Sequence, residues 1–129
     1  YKEVLERFGL DRLSFVSLFS LNAYEGLAAR DIVQATGFPK NSLSRAISDL
    51  TKRGLVASRT DAADKRTKTL SVTEDGRQLI AQILPMFEVR QQKMREALTG
   101  EERQAFDAAL KKMVDAIPAW AQAGLGHDP

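Results

Sequence analysis

The fold of this chain is decided by residues 31–76, which read DIVQATGFPKNSLSRAISDLTKRGLVASRTDAADKRTKTLSVTEDG. The pattern predicts two short amphipathic helices on either side of the turn Gly37-Phe38-Pro39, followed by a basic hairpin. The second helix is predicted over residues 40–53. Its apolar positions have the i, i+3, i+4, i+7 spacing of one buried face: Leu43, Ala46, Ile47 and Leu50. The opposite face carries Lys, Ser and Arg, and a helix of this kind suits the major groove of DNA.

Positive charge is concentrated in the same segment. The whole chain has 19 basic and 17 acidic residues, a net charge of only +2. Residues 38–68 hold eight basic residues against three acidic ones, so their net charge is +5 and the remainder of the chain is net negative. A basic patch at the predicted helices and hairpin is what a phosphate-binding surface requires. The alternative is an ordinary solvated helix face, which explains the coincidence of charge, turn and hairpin less well.

Composition excludes several classes of function. The chain has 129 residues, enough for one domain, and no cysteine, which rules out a thiol redox switch and a cysteine metal site. A hydrolytic enzyme could use Asp31, Asp49 or the serine cluster, but a nucleophilic serine needs a base within reach, and the only histidine is His127 in the tail. We therefore expect no enzymatic activity, cofactor or metal. No apolar run approaches the roughly 20 residues that span a bilayer, so we expect no membrane association and a cytoplasmic location.

The same periodicities predict the elements outside this segment. They are helices over 1–8, 12–23, 28–36, 74–98 and 100–117, and strands over 55–59 and 68–72. Pro85 lies inside the long helix and should bend it. The apolar pattern is already under way at Tyr1, so we expect further residues to precede it.

In this order of elements the chain resembles the MarR family of winged-helix transcription regulators. The resemblance rests on the recognition-helix string NSLSRAISDL at 41–50, the step KRGLV at 52–56, and the hairpin, or wing. In the wing, Asp64-Lys65-Arg66 and the string LSVTEDGR at 70–77 match the family pattern D-x-R…L-x-L-T-x-x-G, with Val72 in place of the usual Leu. Ala28 departs from the family, because a Ser or Thr cap commonly opens the first helix of the pair.

The resemblance implies a mainly α fold with a small β-hairpin wing, in a single domain over residues 1–129. It implies a winged helix-turn-helix DNA-binding lobe at 24–76 and a helical dimerisation region at 1–23 and 77–118. Such a homodimer presents two recognition helices about one DNA turn apart and therefore demands a palindromic operator. Bending at Pro85 is our hypothesis for a hinge between the two regions. Repression is the commoner outcome in the family, and whether a member represses or activates depends on the position of its operator.

Candidate DNA contacts lie first on the recognition helix. Ser42, Ser44 and Arg45 are the candidates for base-edge and nearby phosphate contacts. Arg45 ranks first, because a guanidinium can bond guanine O6 and N7 together, which is worth about 1–3 kcal/mol of discrimination. The resemblance further implies phosphate contacts that position the helix: Lys40, Asn41 and Ser48.

The wing, predicted over residues 59–70, supplies the second set of contacts. By resemblance Arg66 enters the minor groove and Asp64, two residues earlier, holds the arginine side chain in place. An arginine gains there from the negative potential of a narrow groove. Lys65 and Lys68 add positive charge. The alternative for Asp64 and Arg66 is an exposed ion pair of little energetic value.

Members of the family often respond to small aromatic or anionic effectors bound between stalk and lobe. The corresponding residues here would be Phe15, Phe19, Tyr24, Met86, Phe87 and Arg90. Aromatic residues at helical spacing are more often core than pocket, and the effector itself cannot be read from the sequence. A further alternative is a winged-helix module that binds a protein partner. Its recognition-helix face should be apolar or acidic, whereas here it is Lys, Ser and Arg.

Overall fold

The structure is a computed structural model that describes residues 1–60, 63, 64, 66 and 68–120. Its elements, in chain order, are α1 (Lys2–Arg7), α2 (Arg12–Ala23), β1 (Leu27–Ala28), α3 (Ala29–Thr36), α4 (Lys40–Lys52), β2 (Val56–Thr60), β3 (Lys68–Val72), α5 (Glu74–Glu96), α6 (Gly100–Asp115) and α7 (Ile117–Trp120). The strands form one antiparallel sheet in the order β1-β3-β2. None of the described helices has the length and apolarity needed to cross a bilayer.

Most of the predicted elements are confirmed, with small shifts at their ends. The helix predicted over 12–23 is α2, and Asp11 caps it, its Oδ1 accepting from the Ser14 N–H at 2.7 Å. The recognition helix is α4, one residue shorter than predicted, and α5 ends two residues early, at Glu96. Strand β1 was missed, because two residues are too few to display the alternation of a strand.

The end of the last predicted helix was wrong. That helix was expected to run over 100–117 and to stop at Pro118, but α6 ends at Asp115 and Pro118 lies inside the short α7. A proline in the first turn of a helix lacks only an N–H that would be unpaired there anyway, so Pro118 can open α7 instead of terminating α6.

Residues 1–88 form one compact unit with a single apolar core. The buried side chains come from every helix from α1 to the first half of α5, from β2 and β3, and from two connections: Val4, Leu5, Leu10, Leu18, Leu21, Ile32, Leu43, Leu50, Leu55, Val56, Leu70, Val72, Ile80 and Ile83. Parts of the predicted dimerisation region, 1–23 and 77–118, therefore share a core with the winged helix. The division into a reading lobe at 24–76 and a dimerisation region stays a prediction.

The wing is joined to α5 by the Thr73 and Gly76 of the family pattern. Thr73 Oγ1 donates to the Gly54 carbonyl at 2.6 Å and accepts from the Gly76 N–H at 3.2 Å, so it also caps α5. Gly76 is buried, and a Cβ there would clash with the Leu55 carbonyl oxygen and the Val72 side chain. The first turn of α5 can therefore lie directly on the backbone that enters β2 only because residue 76 is glycine.

The second compact unit starts at Val89, and it is described as far as residue 120. It comprises the end of α5, α6 and α7, and none of its described side chains through residue 119 is buried. Thr99 opens α6 with a reciprocal cap, its Oγ1 accepting from the Glu102 N–H and its own N–H donating to Glu102. Arg95 of α5 forms a two-pronged pair with Asp107 of α6, at 2.9 and 2.7 Å. That hydrogen-bonded pairing lowers the pKa of the Asp107 carboxyl.

Pro85 lies within α5, which continues as one helix through it. Because proline has no N–H, the Ala81 carbonyl loses its intrahelical donor. The hinge at this position stays a hypothesis.

Candidate nucleic-acid interface

The turn between α3 and α4 is built from local hydrogen bonds. Gly37 takes a left-handed conformation, with φ 70°, and its N–H donates to the Val33 carbonyl at 2.8 Å. Thr36 Oγ1 donates to the Ile32 carbonyl and accepts from the Phe38 N–H. Pro39 is the N-cap of α4, and its carbonyl accepts from the Leu43 N–H at 3.0 Å. These bonds set the direction in which α4 leaves the turn.

A residue in the first turn of α3 compensates for the missing side-chain cap at Ala28. Ala28 has no side chain that could accept a hydrogen bond, but the Asp31 carboxylate accepts from the Ala28 N–H at 2.7 Å. This is one half of a capping box, and it also places a negative charge at the positive end of α3. Asp31, which the sequence left open as a candidate for catalysis, therefore has a structural role.

The recognition helix divides cleanly into two faces. Leu43 and Leu50 are 0% and 1% exposed, and Ala46 is also buried. The predicted DNA-contact residues of α4 are all exposed: Lys40, Asn41, Ser42, Ser44, Arg45 and Ser48. The apolar stripe thus anchors α4 to the core and leaves a continuous polar surface along its outer side.

Arg53, one of the basic residues counted in the charged segment, is engaged elsewhere. Its Nη1 donates to the Gly9 carbonyl at 2.8 Å and its Nη2 to the Phe8 carbonyl at 2.9 Å. The guanidinium therefore ties the end of the recognition helix to the turn between α1 and α2. Charge counting could not reveal this, because the partners are main-chain oxygens 44 and 45 residues away.

The wing consists of β2 and β3 and the described part of their connection. Arg66 and Lys68 are exposed, as predicted for DNA contacts, and Lys65 lies outside the described residues. Asp64 Oδ1 accepts from the backbone N–H of Arg66 at 2.9 Å, a two-residue span typical of Asp in turns. Asp64 thus shapes the backbone that carries Arg66, while its action on the arginine side chain stays a prediction.

Recognition helix and wing border one groove. Its volume is about 340 Å³, and it is lined by Ser44, Ile47, Ser48 and Thr51 from α4, Ser58, Lys68 and Leu70 from the sheet, and Ala29. Two of the predicted helix contacts and one of the predicted wing contacts therefore lie on the same surface. This joint placement is what simultaneous contact with one duplex requires.

Arg30, at the start of α3, was missed by the sequence analysis. It is exposed, and it shares one hollow with Lys40 and Ser44 and a second hollow with Arg66 and Lys68. It therefore lies between the start of the recognition helix and the wing. A charge count that included the first helix of the pair could have found it, whereas the window that began at residue 38 excluded it.

The predicted pocket residues divide into those that pack and those that do not. Phe87 makes edge-to-face contacts with Phe15 and Tyr1, with ring centroids 5.2 and 4.5 Å apart, and Phe15 and Phe87 pack against the core. Phe19 lies 6.0 Å from Phe15, and Tyr24 is 67% exposed. Met86 is exposed, and Arg90 belongs to the second compact unit. Phe15 and Phe87 thus pack as core residues do, and a ligand role for the whole group stays a prediction.

Comparison with known proteins agrees with this geometry. A family model described as MarR family matches residues 8–67. An uncharacterised HTH-type transcriptional regulator of Bacillus subtilis, YwaE, is 26% identical over 113 residues, which cover 88% of this chain and 66% of that protein.

Two solved structures extend the likeness. Bordetella bronchiseptica BpsR, whose DNA binding is regulated by 6-hydroxynicotinic acid, is 30% identical with a TM-score of 0.71, covering 89% of this chain and 82% of that one. The DNA complex of S. aureus MepR is 26% identical with a TM-score of 0.75, covering 89% of this chain and 85% of that one. The chain belongs to the MarR family of winged helix-turn-helix DNA-binding transcription regulators, which are not enzymes.

Proposed function

We propose that this protein is a homodimeric, ligand-responsive repressor that binds a palindromic operator. The observation that carries the proposal is the shared groove of α4 and the wing, with the exposed polar face of α4 on one side and Lys68 on the other. The recognition helix enters the major groove of DNA, and the wing enters the adjacent minor groove.

The proposed contacts differ in what they contribute. Arg45, with Ser42 and Ser44, reads base edges and so supplies specificity. A second set contacts phosphates and supplies affinity: Lys40, Asn41, Ser48, Lys65 and Lys68. Arg66 enters the minor groove from a turn shaped by Asp64, whose side chain accepts from the Arg66 backbone. Arg30 adds a phosphate contact between the helix and the wing, because its hollows adjoin both.

The homodimer is supported by the apolar surface of α6. One face of this helix carries four exposed apolar side chains at i, i+4, i+7 and i+8: Phe106, Leu110, Met113 and Val114. Ile117 at the start of α7 is also exposed. Contiguous exposed apolar surface on a helix marks an interaction site. A second copy of the same helix is the natural partner, because a two-fold dimer also pairs two recognition helices for a symmetric site.

The effector is proposed as a small aromatic or anionic molecule. BpsR, which is 30% identical to this chain in the matched region, has its DNA binding regulated by 6-hydroxynicotinic acid, a compound that is both aromatic and acidic. A ligand that binds the DNA-free conformation more tightly than the DNA-bound one lowers the affinity for DNA by the ratio of its two affinities. Repression follows where the operator overlaps a promoter, since a bound dimer excludes other proteins from the same grooves.

The test is fluorescence anisotropy on duplexes enriched from a random pool, titrated at several salt concentrations. We expect tight binding to a two-fold-symmetric site with a steep salt dependence. The double variant Arg45→Ala, Arg66→Ala should lose most of this binding. The matched control, Lys2→Ala with Arg12→Ala, removes two exposed cations outside α3, α4 and the wing and should leave binding intact. If no symmetric site is enriched and the Arg45, Arg66 variant behaves as wild type, the DNA-reading role is wrong and a protein partner must be sought.

A further inference from the structure

A second polar cleft opens beside the wing, away from the groove of α4. Its volume is about 330 Å³, within the range of small-molecule sites. It lies entirely within the first compact unit and combines charged, hydroxyl and apolar side chains: Leu21, Glu25, Arg59, Thr69, Ser71 and Arg77. Leu70 lines both this cleft and the groove proposed to face DNA, but the candidate DNA contacts Ser44, Ser48 and Lys68 line the groove alone.

Strand register accounts for the presence of Arg59 in this cleft. Arg59 pairs with Thr69, and Ser58 pairs with Leu70. Because side chains alternate across a strand, Arg59 and Ser58 point to opposite faces of the sheet. Ser58 lines the groove beside α4, whereas Arg59 and Thr69 line the cleft behind it. A cation that the sequence grouped with the DNA-binding charge is therefore directed away from the recognition helix.

The charges of the cleft favour an anion. Arg59 and Arg77 oppose the single carboxylate of Glu25, so the lining is net positive. Arg77 is half exposed and lies 3.9 Å from Glu74, at the outer limit of an ion pair, and the described residues offer the Arg59 guanidinium no ion-pair partner. Guanidinium groups bind carboxylates through two parallel hydrogen bonds, and the Ser71 hydroxyl can donate a further one. The Thr69 hydroxyl donates to the Arg59 carbonyl at 3.4 Å.

We propose that this wing cleft binds a small organic carboxylate and is the site at which an effector alters the position of the wing. The inference deepens the proposed function and rests on it, because it assigns a site and a ligand chemistry to the effector response. The aromatic rings of Phe15 and Phe87 contact each other edge to face, with centroids 5.2 Å apart, and offer no charged group to an acid. The wing cleft, by contrast, is open and carries the charge that an acid requires.

The elements that meet at the cleft explain how binding reaches DNA. Arg59 belongs to β2, Thr69 and Ser71 to β3, and Arg77 to the first turn of α5. A carboxylate held by both arginines would tie the strands of the wing to α5. The same strands lead to Arg66, so a bound carboxylate would favour one position of the Arg66 backbone relative to α5. A ligand can change DNA affinity only if it binds two positions of the wing with different affinities. DNA must then lower the affinity for the ligand by the same factor as the ligand lowers the affinity for DNA.

The experiment uses the full chain, with benzoate as the carboxylate probe and benzamide as its neutral counterpart. Calorimetric titration gives the dissociation constant of benzoate with and without operator DNA. We expect saturable binding of benzoate and not of benzamide, weakened about tenfold or more by Arg59→Gln and by Arg77→Gln, since each removes a charge-assisted hydrogen bond. Operator DNA should weaken benzoate by the same factor as benzoate weakens operator binding.

Lys68→Gln is the matched control, because it removes one cation from the other face of the same sheet. It should leave the benzoate dissociation constant unchanged, although it lowers DNA affinity. The proposal is overturned if benzoate does not saturate, if the two arginine variants bind it as wild type does, or if benzoate and DNA bind independently. DNA binding by the ligand-free protein is measured in the same series. Its absence contradicts the proposed function, whereas its presence without a cleft-dependent effect of benzoate contradicts this inference alone.

Discussion

The helices α4 and α6 are both amphipathic, yet they use their apolar stripes in opposite ways. Leu43 of α4 is 0% exposed in the core of the first compact unit, whereas Leu110 of α6 is 48% exposed. The apolar side of α4 is covered by its own chain, so the polar side is free to read DNA. The apolar side of α6 is left uncovered by its own unit, and we propose that a second chain covers it. The same apolar spacing thus leaves a polar surface exposed on α4 and an apolar surface exposed on α6, which we propose as the DNA-reading and assembly surfaces.

The largest effect is expected on stability, to which the apolar stripes of α4 and α6 should contribute very differently. Leu43→Ala leaves a cavity in the core and should lower the free energy of unfolding by about 2–5 kcal/mol. Leu110→Ala should change it by less than about 1 kcal/mol at low protein concentration. Urea unfolding monitored by circular dichroism measures both. The cost of Leu110→Ala should grow with protein concentration, because it acts through the dimer; equal costs at all concentrations would contradict the comparison.

A charge on the uncovered stripe should break the dimer. Leu110→Asp places a carboxylate in the proposed interface and should raise the dimer dissociation constant by about 30-fold or more, the equivalent of about 2 kcal/mol at an interface centre. Sedimentation velocity over a concentration series measures the shift. Ala108→Asp carries the same charge on the opposite side of α6 by helical spacing and should leave the dimer intact. Dissociation by both variants, or by neither, would mean that this stripe is not the interface.

On the reading side, Arg45 and Arg30 should differ in kind. Arg45→Ala should weaken the operator by about 1–3 kcal/mol and relax the preference at one base position. Arg30→Ala should weaken all sequences alike and reduce the slope of log affinity against log salt by about 1. Anisotropy titrations on operator and single-substituted duplexes distinguish the two patterns. If Arg30→Ala changed the base preference, Arg30 would have to contact a base and not only a phosphate.

Arg53 should behave differently from Arg45 and Arg30, because its guanidinium anchors α4 to the protein and is not expected to contact DNA. Arg53→Ala removes its hydrogen bonds to the Gly9 and Phe8 carbonyls and should lower the free energy of unfolding by about 1 kcal/mol, a modest value because the site is exposed. Its effect on the salt slope of DNA binding should be absent, in contrast to Arg30→Ala. A reduced slope would show that Arg53 contacts phosphate despite these bonds.

The anchor of α6 is a surface ion pair and should have the smallest effect. The hydrogen bonds from Arg95 lower the pKa of Asp107 from its ordinary value of 3.8. A lowered folded-state pKa contributes stability above the unfolded pKa, and this contribution is lost as the pH falls through the folded value. Asp107→Asn should therefore be slightly less stable than wild type at neutral pH, and the difference should vanish in acid. Urea midpoints from pH 7 down to pH 3 measure it, and a difference that persists in acid would rule out the charge as its cause.

Local periodicity was enough to predict most elements of the fold. The bounds of α2 and the start of α4 follow from apolar spacing, turn residues and caps, all of which act within a few residues. Strand β1 could not be predicted, because its two residues pair only with Leu70 and Thr69 far along the chain. The cap at Ala28 was predicted to be missing, and the structure supplies Asp31, three residues on, as a partial replacement.

The sequence by itself determined the order of the elements, the family, and which face of each helix is apolar, because these depend on residue spacing and short motifs. Only the tertiary structure decided which cations act together. It brings Arg30 to the hollow that holds Arg66 and Lys68, binds Arg53 to carbonyls 44 and 45 residues away, and directs Arg59 to the opposite side of the wing. Charge is a property of a residue, but the partner that uses it is chosen by packing and strand register, which join distant parts of the chain.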